Sequence, residues 1–248
     1  MTATGPPPGR RTWIADAISF CFPPACSLCG DPSPEHAGCC PRCASQVHGD
    51  GGPVCERCCA PVGPYLDTTS GCSRCREDRF AFQRVYALGR YAGHLRGVCL
   101  RAKRDRSGIA ARRLGEFLAV RWSEAILDWR PDLLVPIPSH WSTRLTQAAA
   151  APVAMAVALA TTLRLPWDLH VLRKRRATPA QATLPPTRRR ENLKLAFGLA
   201  PGVSLAGGRF LLVDDILTTG TTAHRAAEVL RQSGAAEVRV AVAARGLG

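Results

Sequence analysis

From Phe82 onward, short apolar runs alternate with longer stretches whose apolar residues recur every three or four positions. FQRVYALGRY (82–91) reads as a strand or hairpin, and HLRGVCLRAKRD (94–105) as a basic helix. In IAARRLGEFLAVRWSEAILDW (109–129), Leu114, Phe117, Leu118, Trp122, Ala125, Ile126 and Trp129 share one face at helical spacing, which predicts a helix laid on a sheet. DLLVPIP (132–138) predicts a buried strand ending in a proline-rich turn, followed by an alanine-rich helix over 147–163 and a strand over WDLHVL (167–172). RFLLVDDI (209–216) is the next strand, TAHRAAEVLRQSG (222–234) a helix stopped by Gly234, and EVRVAVAA (237–244) the closing strand. Strands alternating with helices imply an α/β domain over 81–248, a parallel sheet with helices on both faces. Ligands of such sheets sit beyond the carboxyl ends of the strands.

Before residue 80 that periodicity is missing, and cysteine takes its place. Eleven of the 12 cysteines lie in residues 21–75, and only Cys99 lies beyond. They include four CxxC pairs: Cys26 and Cys29, Cys40 and Cys43, Cys55 and Cys58, Cys72 and Cys75. Two intervening residues let a tight turn aim both thiolates at one tetrahedral ion, and two such knuckles close a four-cysteine zinc site. Eight ligands therefore predict two structural zinc ions in a 1–80 zinc-ribbon module. The simplest pairing joins knuckles one and two, then three and four; a cross-braced pairing satisfies the same spacing. Cys39 and Cys59 each abut a knuckle as alternative ligands, and Cys21 is left over. Between the knuckles lie Gly, Pro and Ser without apolar repetition, so the metal is expected to drive folding of this segment. A redox role is disfavoured, because the βαβ context of a thioredoxin-type CxxC is absent.

Charge divides the chain at the same place. Residues 1–80 carry seven arginines against eight acidic residues, so the formal net charge of +14 belongs to the remainder, where arginine dominates. Arginine is the side chain whose planar fork grips phosphate. The apolar stretch near the start, WIADAISFCF, is short, carries Asp16 and lacks a small-residue cleavage site, so no secretory signal is expected. AAAAPVAMAVALATTL (148–163) is too short for a membrane span. A cytoplasmic protein without membrane insertion is the expectation, and in a reducing compartment clustered cysteines are metal ligands rather than disulfides.

The candidate chemistry concentrates in FLLVDDILTTGTTA (210–223). Asp214 and Asp215 emerge at the ligand edge of the predicted sheet, and Thr218, Thr219, Gly220, Thr221 and Thr222 connect them to a helix start. A helix N-terminus preceded by small residues is an anion site, with backbone N–H groups and hydroxyls converging on one phosphate. Carboxylates beside a phosphate repel it unless a group lies between, and a ribose with a free diol is such a group. A helix cap would account for one aspartate and one threonine but not for the run. The segment is neither a Walker loop nor a dinucleotide fingerprint, since GK[ST] and GxGxxG are both missing.

VDDILTTGTT resembles the phosphoribosyl-pyrophosphate (PRPP) motif of type I phosphoribosyltransferases. The whole chain, cysteine head included, resembles the ComF family of competence-related, phosphoribosyltransferase-like proteins. The supporting segments are FPPACSLCG (22–30), GRYAGHLRGVCLRAK (89–103), VPIPSHW (135–141), RATPAQATLPPTRRRENLKLAF (176–197) and the PRPP motif. The resemblance implies a type I phosphoribosyltransferase-like fold in which Asp214 and Asp215 bind ribose hydroxyls and Thr218 to Thr222 hold the 5′-phosphate. It also implies that Val135, Pro136, Ile137 and Pro138 form the loop that meets pyrophosphate, with magnesium bridging. Segment 173–197 would be a hood carrying Gln181, Arg190 and Asn192 as contacts, and Lys103 matches a family lysine. One departure stands out: the family carries an Arg-Gly-Phe-Asn-Gln run after VPxPxH, whereas this chain reads STRLTQAAAAP and keeps only Gln147 and Ala148.

Two functions follow. One is a PRPP or ribose-5-phosphate binder, possible as a magnesium-dependent transferase of unknown acceptor and linked by family to DNA uptake in competence. The other is a non-catalytic accessory protein for single-stranded DNA, working with a competence helicase. There the zinc ribbons and the basic runs RAKRDR (101–106), RKRR (173–176) and RRR (188–190) would track phosphates.

Overall fold

The computed structural model describes residues 21, 25–32, 38–47, 51–138, 150–174 and 197–247. A short helix α1 (Pro41–Val47) belongs to the cysteine-rich head. The body then runs β1 (Arg84–Arg90), α2 (Gly93–Arg104), α3 (Ile109–Trp129), β2 (Leu133–Pro136) and α4 (Ala151–Leu163). It continues with β3 (Leu172–Lys174), β4 (Phe197–Leu199), β5 (Arg209–Leu217), α5 (Thr221–Gln232) and β6 (Glu237–Arg245). Four strands form one sheet in the order β1-β6-β5-β2, and every pairing in it is parallel. Among the described residues no helix is long and apolar enough to cross a membrane.

Both faces of the sheet are covered, which explains why its strands read as continuous apolar runs rather than alternating ones. One set of side chains, including Tyr86, Leu88, Leu134, Leu211, Val213, Ala241 and Ala243, packs with α2, α3 and α4. The intervening set, including Val85, Ala87, Val135, Leu212, Val240 and Val242, packs with α5 and the β3–β4 pair. In α5 the buried positions Ala223, Ala226, Ala227 and Leu230 recur at helical spacing and supply that contact. The α3–α4 crossing is very close: a Cβ on Gly115 would overlap the Met155 carbonyl. The alanine-rich composition of α4 serves this approach rather than a membrane.

Two sequence expectations change, and the strand-or-hairpin alternative at 82–91 is decided. Segment 82–91 is not a hairpin but a single edge strand, β1, parallel to β6. The strand expected over 167–172 contributes only an isolated bridge between Trp167 and Leu134. Its pairing ends because Pro166 offers no N–H and the His170 N–H turns back onto Asp168 Oδ1 at 2.7 Å. The next strand, β3, pairs antiparallel with β4 in a separate two-stranded sheet. The described part of the alanine-rich helix begins at Ala151, which places Pro152 in its first turn. There the missing N–H has no helical acceptor to lose.

Candidate functional site

Strand length creates the site. β2 ends with Pro136 opposite Val213, and the Ile137 N–H closes that edge on the Val213 carbonyl at 2.8 Å. β5 runs on past this point, paired only with β6, so Asp214 and Asp215 stand at the carboxyl end of the sheet beyond its shorter neighbour. Val135, Pro136, Ile137 and Pro138 are all buried beside them. Asp214 Oδ1 accepts the Asp215 N–H at 2.9 Å, and Asp215 Oδ1 accepts the Ile216 N–H at 2.8 Å.

Two lysines bracket the pair. From the last turn of α2, Lys103 Nζ reaches Asp215 Oδ2 at 3.2 Å. Burial opposes its charge, but Asp215 and then Asp214 outweigh that and hold its pKa above the ordinary value. From β3, Lys174 is pushed down by burial, with Asp214 opposing the fall. Burial, reinforced by the Asp215 charge, lifts Asp214 well above the usual carboxylate range. The two adjacent aspartates therefore differ: Asp215 is paired with Lys103, whereas Asp214 resists ionisation more than an ordinary carboxyl does.

The loop after β5 forms a cradle lined by Asp214 and by residues 216–223. Gly220 precedes α5 with φ +76, and a Cβ there would lie 2.9 Å from the Phe80 ring, so strain and space both demand glycine. Thr219 Oγ1 and Thr221 Oγ1 share a hydrogen bond of 2.9 Å, and the Thr221 N–H points at Thr219 Oγ1 at 3.4 Å. The first turn of α5 contains no acidic residue. Its amide groups and these hydroxyls make a site for an oxyanion.

The loop is anchored from beneath. Arg245, at the end of β6, is only 6% exposed. Its guanidinium donates to the carbonyls of Leu217, Thr218 and Gly246, while its Nε has no partner. No ion pair joins Arg245 to a carboxylate among the described residues, so an unneutralised cation lies behind the cradle. On the other side, the Ala81 N–H donates to His224 Nδ1 at 3.0 Å, and burial lowers the His224 pKa, which keeps that nitrogen an acceptor.

The eight knuckle cysteines form two tetrads, Cys26, Cys29, Cys40, Cys43 and Cys55, Cys58, Cys72, Cys75. Consecutive knuckles pair, and the cross-braced alternative does not occur. Sulfur separations are 3.8 Å for Cys29–Cys40 and 3.7 Å for both Cys55–Cys75 and Cys58–Cys72. A tetrahedron with zinc–sulfur bonds of about 2.3 Å has an edge of about 3.8 Å, so both tetrads fit zinc. In the first, the Cys40 N–H donates to Cys26 Sγ at 3.3 Å and the Cys43 N–H to Cys40 Sγ at 3.4 Å, which stabilises thiolates. Cys39 and Cys59 lie outside the tetrads: Cys39 bonds the Cys40 carbonyl, and Cys59 is buried against Ala87.

Both tetrads are built into the body. His94 Nε2 of α2 lies 3.0 Å from Cys43 Sγ. Cβ atoms on Gly30 and Gly38 would each lie 2.5 Å from a guanidinium nitrogen, of Arg101 in α2 and Arg113 in α3 respectively. At the second tetrad, Arg57 Nη1 donates to the Cys75 carbonyl, Arg74 Nη1 to the Leu247 carbonyl, both at 2.8 Å, and the Val85 N–H to the Arg57 carbonyl at 2.9 Å. Leu247 follows Arg245 and Gly246, so the second tetrad reaches the phosphate-type loop through the chain end.

Thus the structure gathers Lys103, Val135–Pro138, Asp214, Asp215 and Thr218–Thr222 at one edge of the sheet. Gln181, Arg190 and Asn192 lie outside the described residues. Sequence reasoning took in Lys174 only as part of the basic run 173–176, and it missed Arg245, His224 and His94. Arg245 left one trace, a charge closing an otherwise apolar strand before a glycine; the others sit among ordinary surface patterns.

Residues 148–247 match the phosphoribosyl transferase domain, a span that includes the aspartate pair and the cradle and leaves out Lys103 and Val135–Pro138. DNA utilization protein YhgH of Salmonella typhi is 31% identical over 229 residues, 88% of this chain and 95% of that protein. Competence protein F of Haemophilus influenzae is 26% identical over 207 residues, 82% of this chain and 88% of that protein. Among solved structures, the glutamine PRPP amidotransferase from B. subtilis aligns with 53% of this chain at 26% identity and a TM-score of 0.36, and this chain spans 25% of its length. With such identity across nearly the full length of YhgH and a phosphoribosyl transferase domain behind a cysteine-rich head, the chain belongs to the ComF family and has a type I phosphoribosyltransferase-like fold.

Proposed function

We propose that the protein binds the ribose-5-phosphate moiety of PRPP or a related ligand, and that it does so in the service of DNA utilization, as its relatives' names suggest. The observation that carries this reading is the junction of the Asp214–Asp215 pair with the cradle at the end of β5. The amides at the start of α5 and the threonine hydroxyls hold the 5′-phosphate. One sugar length away, the two carboxylates accept hydrogen bonds from the ribose diol, with Lys103 fixing Asp215. The buried charge of Arg245 strengthens anion binding without touching the ligand.

Val135–Pro138 border the region where pyrophosphate leaves the anomeric carbon, and Gln181, Arg190 and Asn192 are assigned to the hood above it. Magnesium is bound through one or two carboxylates plus substrate phosphates. Asp214 and Asp215 fit this pattern: Asp214 is the one acidic side chain lining the cradle among the described residues, and Asp215 stands next to it. The ion would neutralise the departing pyrophosphate. As a transferase, the protein would act by orientation and charge stabilisation. The two tetrads hold structural zinc, and residues 1–80 and 81–248 are assigned as head and catalytic-type body.

A second reading draws on the YhgH name and on the exposed basic residues Arg96, Arg101 and Arg104 of α2: a non-catalytic single-stranded DNA accessory. Calorimetric titration separates the two. Magnesium–PRPP should bind the wild type and not Asp214→Ala/Asp215→Ala, whereas DNA binding should survive that change and weaken as salt rises. A wild type that takes up no PRPP refutes the first reading; salt-independent or absent DNA binding refutes the second.

A further inference from the structure

Thr218 and Thr219 have a second side. Together with Arg74, Arg90, Tyr91 and Arg245 they wall a cavity of about 720 Å³ between the second cysteine tetrad and the carboxyl ends of β1 and β6. That volume lies in the range of small-molecule sites. It is far larger than a phosphate needs.

The wall is cationic. Arg90 is exposed, and its guanidinium forms no ion pair among the described residues. Arg74 spends Nη1 on the Leu247 carbonyl, which fixes the guanidinium and leaves the rest of its fork available. Arg245 lies beneath, committed to the loop carbonyls and without a carboxylate partner. Asp78 is the single acidic residue on the wall, so positive charge prevails. The half-buried ring of Tyr91, with Arg96 5.9 Å from its centroid, adds a flat apolar surface.

The shared threonines make this cavity the next compartment for whatever projects from an anion seated in the cradle. A ribose carrying one 5′-phosphate leaves it unused. A ribose carrying a 5′-diphosphate places its second phosphoryl group beside Arg74 and Arg90, with room beyond for a nucleoside. We propose that this cavity binds the distal phosphoryl and nucleoside part of a ribose 5′-diphosphate ligand, of which ADP-ribose is the simplest probe. The inference rests on the ribose-5-phosphate reading of the cradle.

Calorimetry with the zinc-loaded full chain tests it, comparing ribose 5-phosphate with ADP-ribose. The wild type should bind ADP-ribose at least about tenfold more tightly, the factor expected from one added charge-assisted hydrogen bond. Arg90→Ala should erase that advantage and leave ribose 5-phosphate affinity unchanged. Equal wild-type affinities would overturn the cavity proposal while leaving the cradle reading intact. Equal weakening of both ligands by Arg90→Ala would also overturn it, because Arg90 would then act on the cradle. If a folded wild type binds neither ligand, both readings fall.

Discussion

Arg245→Met removes the anchor beneath the cradle and keeps a side chain of comparable length. The wild-type guanidinium serves the carbonyls of Leu217, Thr218 and Gly246. After the change, the Leu217 carbonyl still accepts the Gly246 N–H at 2.8 Å. Thr218 is exposed, so water reaches its carbonyl. Hydrogen bonds to a charged group contribute about 1.5–3 kcal/mol each, but only part of that sum is lost. The variant also escapes the cost of holding a buried cation whose Nε is unpaired. The balance is a destabilisation of about 1–3 kcal/mol, measured by urea unfolding of the zinc-loaded protein. The effect on binding should be larger in proportion, because the loop loses both its anchor and the positive charge behind it. Inorganic phosphate affinity should fall several-fold in calorimetry, and Arg245→Lys should recover part of it by restoring charge without the fork. If Arg245→Met matches the wild type within about 0.5 kcal/mol, the usual range of neutral surface changes, and also keeps its phosphate affinity, Arg245 does not position the loop.

The protonation bias of Asp214 gives a pH dependence with a definite sign. Its folded pKa is raised above 3.8, so above that pH the unfolded chain loses this proton first and the group's contribution to stability falls as pH rises, until the folded carboxyl has ionised too. Asp214→Asn should remove that fall, melting higher than the wild type at neutral pH while losing ribose-ligand binding; an unchanged melting temperature across pH would contradict the buried, proton-favouring carboxyl. Elemental analysis should find two zinc ions per chain, and chelation should lower the melting temperature and weaken phosphate binding together, since the Arg74 guanidinium bonds the Leu247 carbonyl and the Arg57 carbonyl accepts the Val85 N–H, tying the second tetrad to the body. Zinc near zero in freshly purified protein would sink the metal assignment. Gly115→Ala gains up to about 1 kcal/mol in helix propensity but overpacks the α3–α4 crossing by about 1–3 kcal/mol, so a net loss in urea unfolding is expected, and a gain would mean the helices can part.

Much of the site was legible because it is local. The CxxC spacing fixes which thiolates can meet over one turn, and both tetrads use those pairs. The apolar run 210–213, the aspartates and the threonine–glycine loop predicted strand, carboxylates and helix start in the right order, with α5 beginning one residue early at Thr221. The segment 167–172 misled because apolar alternation cannot register a proline and an aspartate turn that stop pairing after a single bridge.

Sequence alone therefore determined the chemistry carried by contiguous residues, where covalent geometry sets spacing and backbone period sets direction. Tertiary structure decided which distant groups complete it. Only folding brings Lys103 from α2 to Asp215, sets Arg245 beneath Thr218, and lays His94 against Cys43. Those contacts depend on strand order, on β5 outrunning β2, and on close helix packing. None of these is a property of any single stretch, because each arises from the burial of two sheet faces at once.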